Sequence, residues 1–360
     1  PDCPVYVTAK RRTGGGVPQS EGGASAQFPR VVERDGIYLY QTKTKVGIKE
    51  AVLSNFIMGV ISRLEMPGEG ADVLRVRIMA HTGREDVLDI PVTAFASRAS
   101  LIHMLSRAEY AWYGTDAQCQ YLKAHLTTED MPTQQAITKL GRSIIEGEDD
   151  IWVTTNGILN KNGLMKDDST YTYHRPAHFG SVSVEVPKGS WGLKRTQSAL
   201  RELPSLNSLS VMVPVIGWTF SSAFKPWFVQ KMGHFPLLML YGTRGAGKTQ
   251  LISRVVLPIF GYSSREPQIH FCDTTRFVLV SYGASTTTVP LFFDEYRPNA
   301  LPGTRLRQLW DHWRHLYAED TDHRGQADLS RLSFKQTSPV IVAGEEMVSD
   351  PAMQERMIQV

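Results

Sequence analysis

Apolar and polar positions change period several times along this chain, and the changes divide it. Over residues 36–95 the period is two. Runs at 36–41, 53–62, 73–80 and 87–91 are rich in β-branched and aromatic residues. Glycine-bearing turns at 67–70 and 82–85 separate them, so each run predicts a strand. In Leu74-Arg-Val-Arg-Ile78 the alternation puts Arg75 and Arg77 on one face. Ser97 is placed to cap a helix through about residue 108, and helical patterns follow at 116–126 and 133–140. Short strands are expected at 151–154 and 181–186. Residues 36–187 thus read as a mixed α+β domain. Before it, residues 1–35 are rich in Gly, Ser, Pro and Arg and read as a flexible tail. After it, 188–233 form a helical bridge, with helices at 197–203 and 209–230. Its aromatic residues Trp218, Phe220, Phe224, Trp227 and Phe228 are expected to pack against the next domain. From 234 onward strands and helices alternate, the mark of a parallel α/β sheet. Strands are expected at 236–241, 268–272, 289–293 and 338–344, and helices at 250–257, 275–284 and 304–317.

Composition adds boundaries to this pattern. The chain has 360 residues, 42% hydrophobic and 21% charged, enough for about two globular domains. A net charge of +3 does not by itself indicate a nucleic-acid partner, so any basic surface must be local. Cys3, Cys119 and Cys272 are scattered, with no C-x-x-C spacing. The odd count does not suggest a disulfide framework, the spacing is not that of a metal site, and a reducing, cytoplasmic setting is expected. No signal peptide and no run of 18 apolar residues is present. The apolar stretch 211–220 is broken by Pro214, Gly217 and Thr219, and reads as a core helix, not a membrane span.

Between the strand at 236–241 and the helix at 250–257 stand Gly242, Thr243, Arg244, Gly245, Ala246, Gly247, Lys248 and Thr249. They fit G-x-x-x-x-G-K-[ST], the phosphate-binding P-loop. Glycines let backbone N–H groups turn inward around phosphate oxygens, and the helix presents the positive end of its dipole. Lys248 would reach the β- and γ-phosphates of ATP, and the Thr249 hydroxyl would bind Mg²⁺.

Downstream, Val289-Pro-Leu-Phe-Phe-Asp294-Glu295 is an apolar strand ending in two acids. Following a P-loop, it reads as a Walker B strand. Asp294 would hold Mg²⁺ through water and Glu295 would act as general base. The alternative is a strand with a solvated acidic turn. A glutamate base suits NTP hydrolysis better than phosphoryl transfer to a small molecule. Ser338-Pro-Val-Ile-Val-Ala-Gly344 is a further buried strand, and Glu345 at its end is either a sensor of the nucleotide or an ordinary loop acid. Arg356 follows a short helix and is either an arginine finger for a neighbouring subunit or a surface arginine. The charged segment 321–337 holds His323, Arg324, Arg331 and Lys335. It reads equally as a DNA-tracking hairpin and as a solvated loop. Asn160-Lys-Asn-Gly163 lacks the final Asp of a guanine-recognition motif and precedes the P-loop, so GTP specificity is not expected. His174 and His178 are separated by Pro176, with no ligand cluster around them, and are not expected to bind metal.

Taken together, GTRGAGKT, PLFFDEY, SPVIVAGEE and QERMIQV resemble MCM-like AAA+ helicases of mobile elements and phages, including the Cch-type helicases of cassette chromosomes. The stretches at 53–56 and 89–95 resemble the uncharacterised domain that precedes the ATPase in that family. The likeness spans about residues 35–360. It implies an α/β P-loop NTPase of AAA+ type, with parallel sheet order 5-1-4-3-2, in a hexameric ring that hydrolyses ATP with Mg²⁺ and moves along DNA. By position, Lys248, Thr249, Asp294 and Glu295 would serve the nucleotide, Glu345 would stand at the sensor, and Arg356 would act across the interface. Sensors at this place are usually Asn or Thr, so an acid at 345 departs from the pattern. The ATPase core at 234–360 reaches neither a sensor 2 helix nor a winged helix, and is expected to be C-terminally incomplete.

Overall fold

The computed structural model describes residues 30–66, 72–128, 130–145, 150–166, 170–186, 193–263, 268–325 and 331–360. Residues 1–29 of the tail expected at 1–35, the expected turn at 67–70 and the centre of the charged segment lie outside the described residues; the end of that expected tail, Val31–Arg34, is a strand.

Strands β1 (Val31–Arg34), β2 (Ile37–Thr44) and β3 (Gly47–Val52) form an antiparallel sheet. A second sheet is built on β4 (Phe56–Glu65), β5 (Val73–Ala80) and β6 (Glu85–Pro91), paired as antiparallel neighbours. Helices α1 (Arg98–Met104) and α2 (Asp116–Leu126) follow. Ser97 caps α1 through a bond from Ser100 N, but the helix ends at Met104, short of the expected 108. A full capping box, Thr115 with Gln118, starts α2 where expected. These elements enclose one core that includes Tyr38, Phe56, Phe95 and Leu122.

Residues 133–140 are not the expected helix. β7 (Thr133–Ile137) is a strand that joins β4 and β12 (Tyr171–Tyr173), both in parallel. Its burial has period two, with Gln134 and Ala136 inward. The edge of β4 offers main-chain partners that a five-residue window of sequence does not reveal. Between them, β8 (Gly141–Ser143), β9 (Ile151–Thr154), β10 (Gly157–Asn160) and β11 (Gly163–Leu164) make a small antiparallel sheet. Residues 181–186 keep the expected alternation, with Val182 and Val184 buried, yet they form no strand. Their backbone is satisfied by loops instead: Val184 N bonds Thr155 Oγ1 at 2.9 Å and Glu185 N bonds Gly261 O at 2.9 Å.

The bridge contains α3 (Leu193–Glu202), α4 (Leu209–Ser222) and α5 (Lys225–Met232). The single helix expected at 209–230 is two, because Pro226 cannot donate to the Ser222 carbonyl and the ladder restarts. Trp218 is buried against Phe235 and donates to Pro236 O at 2.8 Å, whereas Phe220, Phe224 and Trp227 remain exposed.

Then comes the α/β unit. β13 (Leu237–Tyr241) leads into the helix formed by α6 (Lys248–Leu251), a π-turn (Ile252–Val256) and α7 (Leu257–Ile259). The remaining elements are β14 (His270–Phe271), α8 (Arg276–Gly283), β15 (Leu291–Tyr296), α9 (Gly303–Ala318), the hairpin β16 (Thr321–Gly325) and β17 (Arg331–Lys335), β18 (Val340–Gly344), α10 (Pro351–Gln354) and β19 (Met357–Gln359). The five strands of the main sheet run β14-β15-β18-β13-β19, all parallel. Residues 237–240, 291–293 and 340–343 are buried without interruption. That is the pattern of strands covered on both faces, and each such side chain contributes about 1.5–3 kcal/mol when fully buried.

The core of this unit also takes in Leu140, Ile151, Val153, Ile158, Val182 and Val184. Leu140 bridges Thr286 in parallel, and Arg142 N bonds Thr288 Oγ1 at 2.8 Å. The packed unit that carries the main sheet therefore reaches back to Leu140. His174, one of the two histidines not expected to bind metal, bonds Asp89 Oδ2 at 2.8 Å, and Arg75 bonds both oxygens of the same carboxylate. Burial alone would push Asp89 up, but the bonds from Arg75 and His174 outweigh it and hold the acid at about 2. Among the described residues, no group of three or more His, Cys, Asp or Glu is placed to hold a metal ion, and no helix is long and apolar enough to cross a membrane.

Candidate active site

The site lies at the C-terminal ends of β13, β15 and β18, where chemistry in an open parallel sheet belongs. Gly242, Gly245 and Gly247 have φ of 149°, 82° and 87°. This is backbone that only glycine adopts without strain, and it lets the loop fold back over the sheet edge. Beyond its own chain neighbours, no atom lies within 4 Å of a Cβ built on any of the three, so backbone conformation and not crowding calls for glycine there. Thr243, Arg244, Gly245, Ala246 and Gly247 are exposed. The Lys248 ammonium donates to Gly242 O at 2.7 Å and Thr243 O at 3.0 Å, and so lies across the mouth of the loop. Downstream, Leu257 N bonds Ile252 O, and Ser253 Oγ bonds Thr249 O at 2.7 Å. The π-turn thus sits one turn below Thr249, just before Pro258, whose ring removes an N–H from the helix ladder.

β18 separates β13 from β15, yet the Thr249 hydroxyl donates to Asp294 Oδ2 at 2.7 Å. The P-loop spans the end of β18 to make that bond, and residue 344 beneath it is glycine. A Cβ on Gly344 would stand 2.5 Å from Tyr296 O and 2.9 Å from Tyr296 Cβ. The pairing of β15 with β18 shifts register between Phe293 and Tyr296, a bulge that contains both acids. Within it Glu295 takes φ of 58°, and its N–H donates to Asp294 Oδ1 at 2.8 Å. A left-handed non-glycine residue costs about 1–2 kcal/mol. Here it turns the exposed Glu295 carboxylate away from the strand line while Asp294 keeps facing Thr249. Cys272 donates its N–H to Asp294 O at 3.2 Å; burial pushes its thiol up, so it is a packing residue and no nucleophile.

Glu345 lies at the same rim. Its carboxylate is 3.5 Å from the Arg297 guanidinium, and Arg297 is also 3.8 Å from Glu295. Asn299 Nδ2 donates to both carboxylate oxygens of Glu346, at 3.0 and 3.1 Å, which ties the loop after β15 to the loop after β18. Sequence reading missed Arg297. Its only local signal is a cation two residues beyond the acid pair.

The structure thus brings Lys248, Thr249, Asp294, Glu295 and Glu345 together and leaves Arg356 apart. Arg356 precedes β19, whose first residue pairs with Leu237 at the start of β13. That is the opposite end of the sheet, roughly 13 Å of strand away from the P-loop. Its guanidinium stacks over Tyr317 at 5.5 Å and donates to Ala352 O. The four residues of the charged segment sit on the hairpin β16–β17. His323 pairs with Ser333, Gly325 with Arg331 and Thr321 with Lys335, positions that share one face of the ladder. Arg324 belongs to the other face, where it stacks on Phe277 at 4.4 Å, beside buried Asp322 and Phe334. His323 and Lys335 are exposed.

The donor set fits a magnesium-bound nucleoside triphosphate: an ammonium and backbone amides for phosphate, a hydroxyl and a carboxylate 2.7 Å apart for a hard cation, and a second, exposed carboxylate for water.

Neither a protein-family model nor a curated protein matches the sequence. A solved structure of the active helicase Cch of SCCmec type IV aligns with a TM-score of 0.57 at 13% identity, over 94% of this chain and 59% of that one. The C-terminal region of NrS-1, in its apo A form, aligns over 80% of this chain and 56% of that one at 13% identity, but with a TM-score of 0.28 it carries no argument. This chain therefore shares the fold of the Cch helicase and spans about three-fifths of its length. Within that fold the α/β unit is of P-loop type.

Proposed function

We propose that this chain is the ATP-hydrolysing part of an AAA+ DNA helicase or translocase that works as a hexameric ring in replication of a mobile element or phage. One observation carries the reading: the Thr249–Asp294 bond at 2.7 Å beneath the P-loop, with Glu295 turned out beside it. The order β14-β15-β18-β13-β19 supports it, because it is 5-1-4-3-2 when the strands are numbered in chain order and read from β19. The likeness in fold to the Cch helicase supports the choice of polymer.

Bound Mg²⁺ would offset charge on the β- and γ-phosphates. Thr249 would hold it directly and Asp294 through water. Lys248 would exchange the Gly242 and Thr243 carbonyls for phosphate oxygens, while the loop amides bind the remainder. Glu295 would orient the attacking water and take its proton. Arg356, on the far side of the sheet, would act on a neighbour's nucleotide. The hairpin would offer His323, Arg324, Arg331 and Lys335 to DNA phosphates without reading sequence.

ATPase and strand-displacement assays test this. Lys248→Ala should abolish nucleotide binding and turnover, and Glu295→Gln should keep binding while losing about 100-fold or more in kcat. Unwinding retained by either variant refutes the helicase reading. A second reading, a non-helicase AAA+ machine, predicts ATPase stimulated by protein instead of DNA and unchanged by Arg324→Ala.

A further inference from the structure

The carboxylate at 345 is the least expected feature of the rim. An ionised carboxylate is acceptor-only, so Glu345 has no hydrogen to give a phosphate oxygen and would repel it. Asp294, Glu295 and Glu345 together place three negative charges beside a pocket for a polyanion. The residue that can answer them is Arg297, whose Nη2 lies 3.5 Å from Glu345 and 3.8 Å from Glu295. Its backbone is well held. Tyr296 before it is completely buried, with its hydroxyl 3.3 Å from Trp310 Nε1, and the Asn299–Glu346 bonds fasten the loop after it. The guanidinium itself is 45% exposed, so it has freedom to move within the rim.

We propose that Arg297 is the γ-phosphate-sensing residue of this site and Glu345 its positioning residue. This rests on the ATPase reading above. The guanidinium keeps Glu345 as a constant partner and has two alternatives for its remaining donors: the Glu295 carboxylate or a γ-phosphate oxygen. When the triphosphate enters, Arg297 moves from Glu295 to the phosphate. Glu295 is then free to accept the proton of the attacking water, as that water's oxygen bonds to the γ-phosphorus and the bond from phosphorus to the bridging β–γ oxygen breaks. The diphosphate leaves with the electron pair. A planar fork with five donors can hold a carboxylate on one edge and a phosphate on another in fixed geometry, where lysine offers only a rotating point charge. The acid at 345 therefore replaces the usual amide or hydroxyl by orienting a donor instead of being one.

The test is steady-state ATPase kinetics of the full chain with fluorescent ATP and ADP binding, on wild type and on Arg297→Gln, Arg297→Lys, Glu345→Gln and the Arg297→Gln/Glu345→Gln pair. Circular dichroism melts control for folding. Arg297→Gln should lose about 100-fold in kcat and lose preference for ATP over ADP, with ADP affinity unchanged. Lysine should restore part of the preference. Glu345→Gln should lower kcat less, and the double variant should match Arg297→Gln alone, because Glu345 acts through Arg297. If Arg297→Gln turns over within twofold of wild type and still prefers ATP, or if the two substitutions add independently, the proposal is overturned while the ATPase reading stands. A well-folded wild type that neither binds nor hydrolyses ATP overturns both.

Discussion

At the scale of single residues, His312 shows how burial sets a titration. It is 3% exposed within α9, neither ring nitrogen has a protein partner, and burial pushes the imidazole down to about 3. The folded protein holds it neutral while the unfolded chain protonates near 6.5. As pH falls below 6.5 the unfolded state binds a proton that the folded state refuses, so stability declines down to about pH 3. Urea unfolding at pH 7 and pH 4.5 measures this. His312→Leu should shrink the difference between the two by about 2 kcal/mol. An unchanged difference means that the charge is accommodated in the fold. His270, held at about 4 by burial, adds to the same acid sensitivity. Arg297 belongs to this scale too. No window of sequence showed its contact with Glu345, because that acid follows a different strand of the sheet.

At the scale of elements, the β15 bulge and the β18 strand depend on each other. Glu295 is left-handed, and Gly344 opposite leaves room for the Tyr296 carbonyl. A methyl group at 344 would meet that backbone oxygen at 2.5 Å, and backbone has nowhere to retreat. Gly344→Ala should therefore destabilise the fold by about 1–3 kcal/mol and lower kcat by displacing Glu295. Thermal melting with ATPase assay checks both. Full activity in a stable variant would mean that the bulge is not what aims Glu295. The strand β7 and the extended segment 181–186 teach the same lesson in reverse. Both have period-two burial, but only β7 finds a free strand edge, and so only β7 becomes a strand. Periodicity reports which side chains face inward, while hydrogen-bonding partners decide the element.

At the scale of the molecule, three parts of the chain meet at the root of the β16–β17 hairpin. Lys225 of α5 is wholly buried, 3.3 Å from Glu319 and 2.6 Å from Thr337 O. Lys139, ahead of β8, donates to Lys335 O at 3.0 Å and Thr337 Oγ1 at 2.8 Å. Burial pushes Lys225 down to about 8 and Lys139 to about 7, partly offset by Glu319. Removing one partner of a buried pair costs about 3–5 kcal/mol, far more than replacing both. Lys225→Met should therefore unfold at markedly lower urea, and Lys225→Met/Glu319→Gln should recover part of the loss. A double variant worse than the sum of the singles would show that the pair is not the connection.

The sequence alone determined the features that are local in the chain. The glycine-rich turn at 242–249 was legible because its left-handed glycines and the helix start that follows lie within eight residues. The strands β13 and β18 were legible because a strand covered on both faces is apolar throughout. The helix α2 was legible as a helical pattern at 116–126, and the structure adds the capping box that starts it. Tertiary structure decided what depends on distant partners. It placed Thr249 against Asp294, turned Glu295 into the left-handed region, joined Arg297 to two acids, set Arg356 at the far end of the sheet and made residues 133–137 a strand. It also split the hairpin's cations between two faces. Such pairings are made between residues tens of positions apart, where closing the chain and satisfying buried polar groups outweigh local preference, and the order of amino acids alone does not record which partner prevails.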